Sequence, residues 1–295
     1  MSTPSSIPSS KKPHLNVALS RLTSFRIGGP ARYLFEVTST YEAKEAIAFA
    51  KERDLPYYVL GKGSNSIFDD SGYDGVIILN KIEFLFFDGP DVHVGGGYSF
   101  SLLGAQTARR RFSGLEFASG IPGSVGGAVY MNAGANGGET KDTLVSVDFL
   151  TDEGQLLHLK RDEIEFKYRY SSFQEMKGII LGARFCLRRD EKAKERQVEI
   201  VKYRTSTQPY HDPSAGCIFR NPEPEKAGRL IEECGLKGFQ IGGAEVSVTH
   251  ANFIVNRGNA KASDVLELIE HVKKVVKEKT GIDLEMEVRR VTDGF

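Results

Sequence analysis

Two glycine-rich segments constrain this chain more than anything else in it. They are Gly61-Lys62-Gly63-Ser64-Asn65-Ser66 and Gly120-Ile121-Pro122-Gly123-Ser124-Val125-Gly126-Gly127-Ala128. Glycine loses more conformational freedom on folding than any other residue, so its clusters mark places where a backbone turns tightly or approaches a ligand closely. The first segment follows PYYVL, which reads as a strand running into a glycine turn. The second lies in 115–138, LEFASGIPGSVGGAVYMNAGANGG, too rich in glycine for an ordinary helix or strand and too apolar for a solvated linker. A long ordered loop that cradles a ligand is the expectation there. Successive N–H groups in such turns form a nest suited to a pyrophosphate, to which Ser64, Asn65 and Ser124 add side-chain donors. Taken singly, each segment reads as a structural turn; together they point to a phosphate-bearing ligand. The P-loop pattern and the G-x-G-x-x-G of a strand-to-helix turn are both missing, which disfavours the common nucleotide folds.

At 295 residues the chain exceeds the usual domain size of ~100–150, so two or three modules around separate cores are expected. Its 39 basic residues balance 39 acidic ones, which gives no electrostatic footprint for nucleic acid or anionic lipid. No apolar run approaches the ~20 residues of a spanning helix. Cys186, Cys217 and Cys234 are odd in number and lack C-x-x-C spacing, arguing against a disulfide framework and for a cytoplasmic location. The histidines show no metal-ligand spacing, so no metal site is expected. Residues 1–14 are rich in Ser and Pro and read as a flexible tail.

Periodicity organises the rest. Ala43, Ala46, Ile47 and Ala50 have helical spacing over 41–53, and GVIIL at 75–79 closes a first α/β unit with a boundary near 85. VHV at 92–94 opens a second unit, in which Asp152-Glu153-Gly154 joins a hairpin and 178–188 forms another strand. DEKAKERQVEIVKYR reads as a solvated helix crossing to a third unit that begins near 196. In that unit Ser263 can N-cap a helix carrying Val265, Leu268, Ile269, Val272, Val275 and Val276 on one face, with Gly281 just past its end. IDLEMEVRR then alternates with period two, a strand with Glu285, Glu287 and Arg289 on its polar face.

Seven motifs in one order resemble the UDP-N-acetylenolpyruvoylglucosamine reductases: Thr23-Ser24-Phe25-Arg26-Ile27-Gly28-Gly29, Gly61-x-Gly-Ser-Asn65, Gly120-Ile-Pro-Gly-Ser-x-Gly-Gly127, Asn132-Ala-Gly134, Tyr168-Arg169-Tyr170-Ser171, Ser214-Ala-Gly-Cys-Ile-Phe-Arg-Asn-Pro222 and Leu284-Glu-Met-Glu-Val288. The resemblance runs from about residue 20 to 290. It implies an α+β fold: a two-part FAD-binding unit of the vanillyl-alcohol oxidase type, in subdomains 15–85 and 86–195, followed by a smaller α/β substrate-binding domain over 196–295. It also implies non-covalent FAD, NADPH as hydride donor, and reduction of the enolpyruvyl ether of a UDP sugar in peptidoglycan precursor synthesis. The short stretch between Ser171 and Gly178 resembles the subtype without an extra substrate-capping loop. No nucleic-acid or membrane partner is expected, and a monomer is favoured.

The resemblance assigns FAD binding to Gly61, Lys62, Gly63, Ser64, Asn65, Ser66, Gly120, Ile121, Pro122, Gly123, Ser124, Gly126, Gly127, Asn132, Ala133 and Gly134. It assigns catalysis to Arg169, Cys217 and Glu287, and substrate binding to Tyr168, Arg220, Asn221, His250 and Asn252. Hydride added to the terminal methylene carbon of such an ether leaves enolate-like charge on the carboxylate side, so an anion must be stabilised and the neighbouring carbon protonated. Arg169 supplies a permanent cation with planar donors. Cys217 stands where the family mostly has Ser as proton donor, and a thiol of pKa ~8.5 remains protonated at neutral pH. Like charges repel, so Glu287 acts through a hydrogen bond or a proton relay. Two rivals are a flavin oxidase of a sugar or hydroxy acid and a non-catalytic nucleotide-sugar-binding module. The carboxylate-holding, proton-delivering set argues against the first, and a flavin spectrum would exclude the second.

Overall fold

The computed structural model describes residues 12–292. The expected tail lies outside the described residues up to residue 11, and His14 already opens the first strand. The first unit holds β1 (His14–Ala18), β2 (Pro30–Val37), α1 (Thr40–Glu52), β3 (Tyr57–Leu60), β4 (Ser66–Phe68) and β5 (Tyr73–Asn80). Its sheet has the order β1-β2-β5-β3, with β5 parallel to both β2 and β3. Helix α1 starts where Ser39 accepts from the Glu42 N–H and buries Ala43, Ala46, Ile47 and Ala50.

The second unit is antiparallel. It contains β6 (Leu85–Asp88), β7 (Asp91–Gly95), α2 (Phe100–Arg109), α3 (Val125–Tyr130), β8 (Leu144–Thr151), β9 (Leu156–Lys160) and β10 (Gly178–Cys186), with sheet order β9-β8-β10-β7-β6. Its core is not separate from that of the first unit, because Leu150, Ile179 and Leu181 pack with Val76, Ile78 and Ile47. The 115–138 segment departs from the loop expectation: Ser124 accepts from the Gly127 N–H at 3.2 Å and starts helix α3. Two glycines are tolerated in this one short helix because the turn abuts another backbone, Gly126 N–H donating to Gly96 O at 2.8 Å.

Helix α4 (Ala193–Thr207) leads to the third unit, made of β11 (Ser214–Cys217), α5 (Ala227–Glu233), β12 (Gln240–Ile241), β13 (Ala244–Val246), β14 (Phe253–Asn256), α6 (Ala262–Thr280) and β15 (Arg289–Val291). A boundary at 196 therefore falls inside a helix. Arg196 ties that helix back to the second unit through Glu116 at 2.7 Å and Asp190 at 2.8 Å, so the physical break follows α4. The third sheet runs β11-β14-β13-β12.

Two further expectations change at this end of the chain. Ser263 lies inside α6 and does not cap it. The cap comes from elsewhere: Asp70 of the first unit accepts from the N–H groups of Ala262 at 2.7 Å and Ser263 at 3.0 Å, where a carboxylate also complements the helix dipole. Residues 282–288 are extended but form no continuous ladder, pairing through a single Phe219–Met286 bridge before β15 joins β4 in parallel. Leu284 and Val288 point into the core as the alternation requires, Glu285 is exposed, and Glu287 on the same side faces an internal cavity.

Candidate active site

A cavity of about 1260 Å³ runs between the three units. One wall is the pair of glycine segments. They are pinned to each other by Ser64 Oγ donating to Pro122 O at 2.6 Å. Gly61 is fixed by this contact surface, since a Cβ there would lie 2.2 Å from Ser124 Oγ. Gly63 has φ +60, and a Cβ would lie 2.3 Å from Leu22 O. Among the described residues, the N–H groups of Lys62, Gly63, Ser64 and Asn65, and those of Gly123 and Ser124, have no hydrogen-bond partner. Unpaired backbone donors at a cavity wall call for an acceptor, and a diphosphate supplies several.

The expected cofactor-binding residues line this cavity with one exception. Asn132 is fully buried with φ 43; its Nδ2 donates to Lys167 O at 3.0 Å and its Oδ1 accepts from Lys141 N–H at 3.1 Å. It anchors the short hairpin Phe166–Ser171 and is spent in doing so. That hairpin carries Arg169 at its tip, in a left-handed conformation with φ 57. A non-glycine residue held there stores strain, and Gln174 holds it by donating to Arg169 O at 3.1 Å and Tyr130 O at 3.0 Å.

Arg169, Cys217 and Glu287 line the same cavity and form its second wall. Arg169 Nε donates to Glu287 Oε1 at 2.7 Å and Nη2 donates to Gly134 O at 3.1 Å. Burial works to lower the Arg169 pKa, yet the Glu287 carboxylate, together with Tyr168 and Cys217, outweighs it and raises the pKa above the usual value. Glu287 is itself pushed up by burial, against the opposing pull of Arg169 and Arg220. Its backbone is gripped from two sides, N–H donating to Ile218 O at 2.7 Å and carbonyl accepting from Asn65 Nδ2 at 3.3 Å. Cys217 ends β11 after Gly216, whose φ of 76 suits glycine. Burial first, and the Glu287 carboxylate second, push the Cys217 thiol up to about 12, with Arg169 and Arg204 opposing. The thiol is a firmly held proton carrier and not a resting nucleophile.

The expected substrate contacts stand apart from the cavity lining. Tyr168 is half exposed, under the Arg169 guanidinium with its ring centroid 4.8 Å from Cζ. Asn221 Oδ1 accepts from the Ala227 N–H at 3.1 Å at the start of α5, and Arg220 acts on Glu287 through its charge. His250 packs edge-on against Phe253, ring centroids 4.9 Å apart, and burial lowers its pKa. Asn252 is buried, accepting from Phe219 N–H at 2.9 Å and donating to Phe219 O at 2.8 Å, so its amide holds the chain.

Two cavity residues carried no signal in the sequence reading. Arg204 of α4 has a buried Nε without a partner among the described residues, and burial lowers its pKa. Tyr210 donates from its hydroxyl to Gly120 O at 2.8 Å. The second was within reach, since QPY stands four residues before the Ser214-Ala-Gly-Cys motif. The first belongs to a helix that reads as solvated.

Comparison with known proteins matches residues 31–160 to an FAD binding domain and 208–291 to the UDP-N-acetylenolpyruvoylglucosamine reductase C-terminal domain. The chain is 53% identical to the UDP-N-acetylenolpyruvoylglucosamine reductase of Protochlamydia amoebophila, over 94% of this chain and 93% of that one. It is 50% identical to the protein of that name from Chlamydia muridarum, over 93% of each. Among solved structures, the enzyme of that name from Thermus caldophilus superimposes with a TM-score of 0.80 at 39% identity, covering 93% of this chain and 97% of that one. With half its residues shared over nearly the whole length of such relatives, this chain belongs to the UDP-N-acetylenolpyruvoylglucosamine reductase family.

Proposed function

We propose that Arg169, Cys217 and Glu287 carry out the reduction that defines the family, with FAD held along the two glycine segments. The chain is an FAD-dependent oxidoreductase that uses NADPH to reduce the enolpyruvyl ether of UDP-N-acetylglucosamine to UDP-N-acetylmuramate, a step in peptidoglycan precursor synthesis. The unpaired N–H groups of residues 62–65 and 123–124 fit a cofactor diphosphate, and Ser64 pins one segment to the other. When bound, FAD relays the hydride of NADPH to the substrate. No histidine lies in either segment, which supports a non-covalent cofactor.

The protein's own share of the chemistry is electrostatic and protic. Arg169 holds the substrate carboxylate and stabilises the charge that accumulates there, at a site dry enough for a cation to count. Cys217 delivers a proton to the carbon bearing the ether oxygen. A thiol held up near 12 keeps that proton until a strongly basic carbon appears, which suits a late donor. The single observation carrying this reading is the convergence of the three residues on the cavity that the two glycine segments also line. One cavity serves both nucleotides in turn, so donor and acceptor alternate.

The test is optical. The purified protein is expected to be yellow, to bleach with NADPH, and to recolour anaerobically with the enolpyruvyl UDP sugar. In Cys217→Ala, bleaching is expected to proceed while recolouring slows by ~10²–10⁴, the usual worth of a general acid. Full-speed recolouring in that variant removes Cys217 from the mechanism. Intersecting double-reciprocal lines, in place of parallel ones, rule out the alternating cavity.

A further inference from the structure

The cation that the substrate carboxylate needs is already taken. Arg169 is paired to Glu287 at 2.7 Å, and the two side chains are only 19% and 15% exposed. A carboxylate arriving at this guanidinium brings a second anion against one cation in a largely dry site. Two carboxylates so placed do not both stay ionised, and one of them takes a proton. A carboxylate conjugated to an enol ether is a weak base, whereas Glu287 is already biased by burial toward its neutral form. Glu287 is therefore the group that accepts the proton.

Among the described residues, the cation other than Arg169 that acts on Glu287 is Arg220. The hairpin presents Arg169, and the segment after β11 presents Cys217 and Arg220. The first glycine segment presents Asn65, while its Lys62 is engaged with Glu83 at 3.0 Å. On its own strand Glu285 is exposed and Arg289 bonds the Tyr130 hydroxyl. Arg204 of α4 acts on Cys217. Once the substrate occupies Arg169, Arg220 is the cation left among the described residues to favour ionised Glu287.

We propose that the enolpyruvyl substrate loads Glu287 with a proton as it binds, and that this proton refills Cys217 after the thiol has protonated carbon. The proposal rests on the assignment of Arg169, Cys217 and Glu287 to the reduction. The balance closes. Hydride forms one C–H bond at the methylene carbon; the Cys217 S–H bond breaks as the second C–H bond forms. The thiolate left behind is a far stronger base than a carboxylate, so the Glu287 O–H bond breaks and the S–H bond is restored. The net consumption is one hydride and one proton, the latter drawn from solvent at binding. Glu287 is then ionised beside the product carboxylate, and its return to Arg169 expels the product.

The test is binding of the enolpyruvyl UDP sugar to oxidised holoenzyme without NADPH, followed by calorimetry in buffers of different ionisation enthalpy. Uptake approaching one proton per site is expected near neutral pH. The association constant is expected to fall about tenfold per pH unit between the Glu287 pKa of the free and of the occupied enzyme, since the occupied state binds the extra proton. Glu287→Gln, a neutral mimic, is expected to bind at least as tightly as wild type, with no uptake and a flat pH profile, and to allow one reoxidation from the proton already on Cys217 while losing steady-state turnover. Glu287→Asp is expected to restore uptake. Wild-type binding without uptake, or uptake persisting in Glu287→Gln, overturns the proposal while reoxidation by the sugar leaves the activity intact. Absence of both binding and reoxidation overturns the activity reading, and the proposal with it.

Discussion

The two walls of the cavity are built from different materials. The glycine wall offers backbone donors from two short continuous segments, residues 61–66 and 120–128, and makes its most direct cross-contact from Ser64 to Pro122. The reducing wall offers side chains from three places, and its central contact joins Arg169 to Glu287 across 118 positions of sequence. A backbone wall needs only local conformation, so it tolerates side-chain change but not an added Cβ. A side-chain wall needs three chain segments to converge, so its geometry depends on the whole fold while each member is individually replaceable. Substitution should therefore separate the two functions, cofactor retention on one side and turnover on the other.

The largest separation is expected from Arg169→Met. The variant removes an anion-stabilising contact worth ~10²–10³ in kcat and leaves every glycine-wall residue in place. FAD is expected to stay bound, with its visible spectrum intact, while steady-state turnover drops by that factor. Without its partner, Glu287 loses the main charge opposing its burial and titrates higher, which a carboxyl infrared band followed against pH would report. Loss of flavin from this variant breaks the division between the walls.

An intermediate effect of the opposite kind is expected from Gly63→Ala. Its φ of +60 is strained for alanine, and the new Cβ would lie 2.3 Å from Leu22 O, so the turn must shift. Strain of ~1–3 kcal/mol at the cofactor wall corresponds to FAD affinity weaker by about one to two orders of magnitude. Enzyme saturated with FAD is expected to keep near-normal half-reaction rates. The readout is FAD titration by fluorescence quenching beside stopped-flow reduction and reoxidation; slowed reoxidation in fully loaded protein would show that the walls are coupled.

The same contrast explains what the sequence discloses. Continuous features read well: the alanine face of α1, the hairpin over Asp152-Glu153-Gly154, and Gly281 ending α6 at φ 75 all follow from local pattern. Both glycine segments were legible because anion nests are made by neighbours. What stayed hidden depends on distant partners. Helix α3 contradicts its own glycine content because it is stabilised by the Gly96 backbone. The N-terminus of α6 is capped by Asp70, 192 positions earlier. Asn132 and Asn252 lie within or beside family motifs yet spend their amides on the chain, which no spacing rule distinguishes from ligand binding. Arg204 sits on a helix with a polar pattern, and only its docked position turns it inward.

The smallest effect is expected from Cys217→Ser, and it bears on how the reducing wall tolerates exchange of a member. A lone exposed thiol would be partly ionised near neutral pH and would differ in kind from a hydroxyl. Burial and the neighbouring Glu287 carboxylate hold this thiol up near 12, so it is protonated throughout the working range, as a serine hydroxyl is. Because the raised value favours the protonated donor below it, Cys217 contributes no titration to the profile near neutral pH, and the pH dependence of reoxidation there belongs to other groups. Cys217→Ser is accordingly expected to keep reoxidation within roughly tenfold of wild type, with the same pH profile, since both donors are fully charged with their proton. The same protonation makes the thiol slow toward iodoacetamide, which attacks through thiolate; alkylation should lag exposed Cys186 and accelerate only when the protein is unfolded. A profile shifted by a full unit in the serine variant, or alkylation of Cys217 as fast as that of a free thiol, would show that its sulfur rests as thiolate beside Arg169 and that the proton for carbon is held by another group.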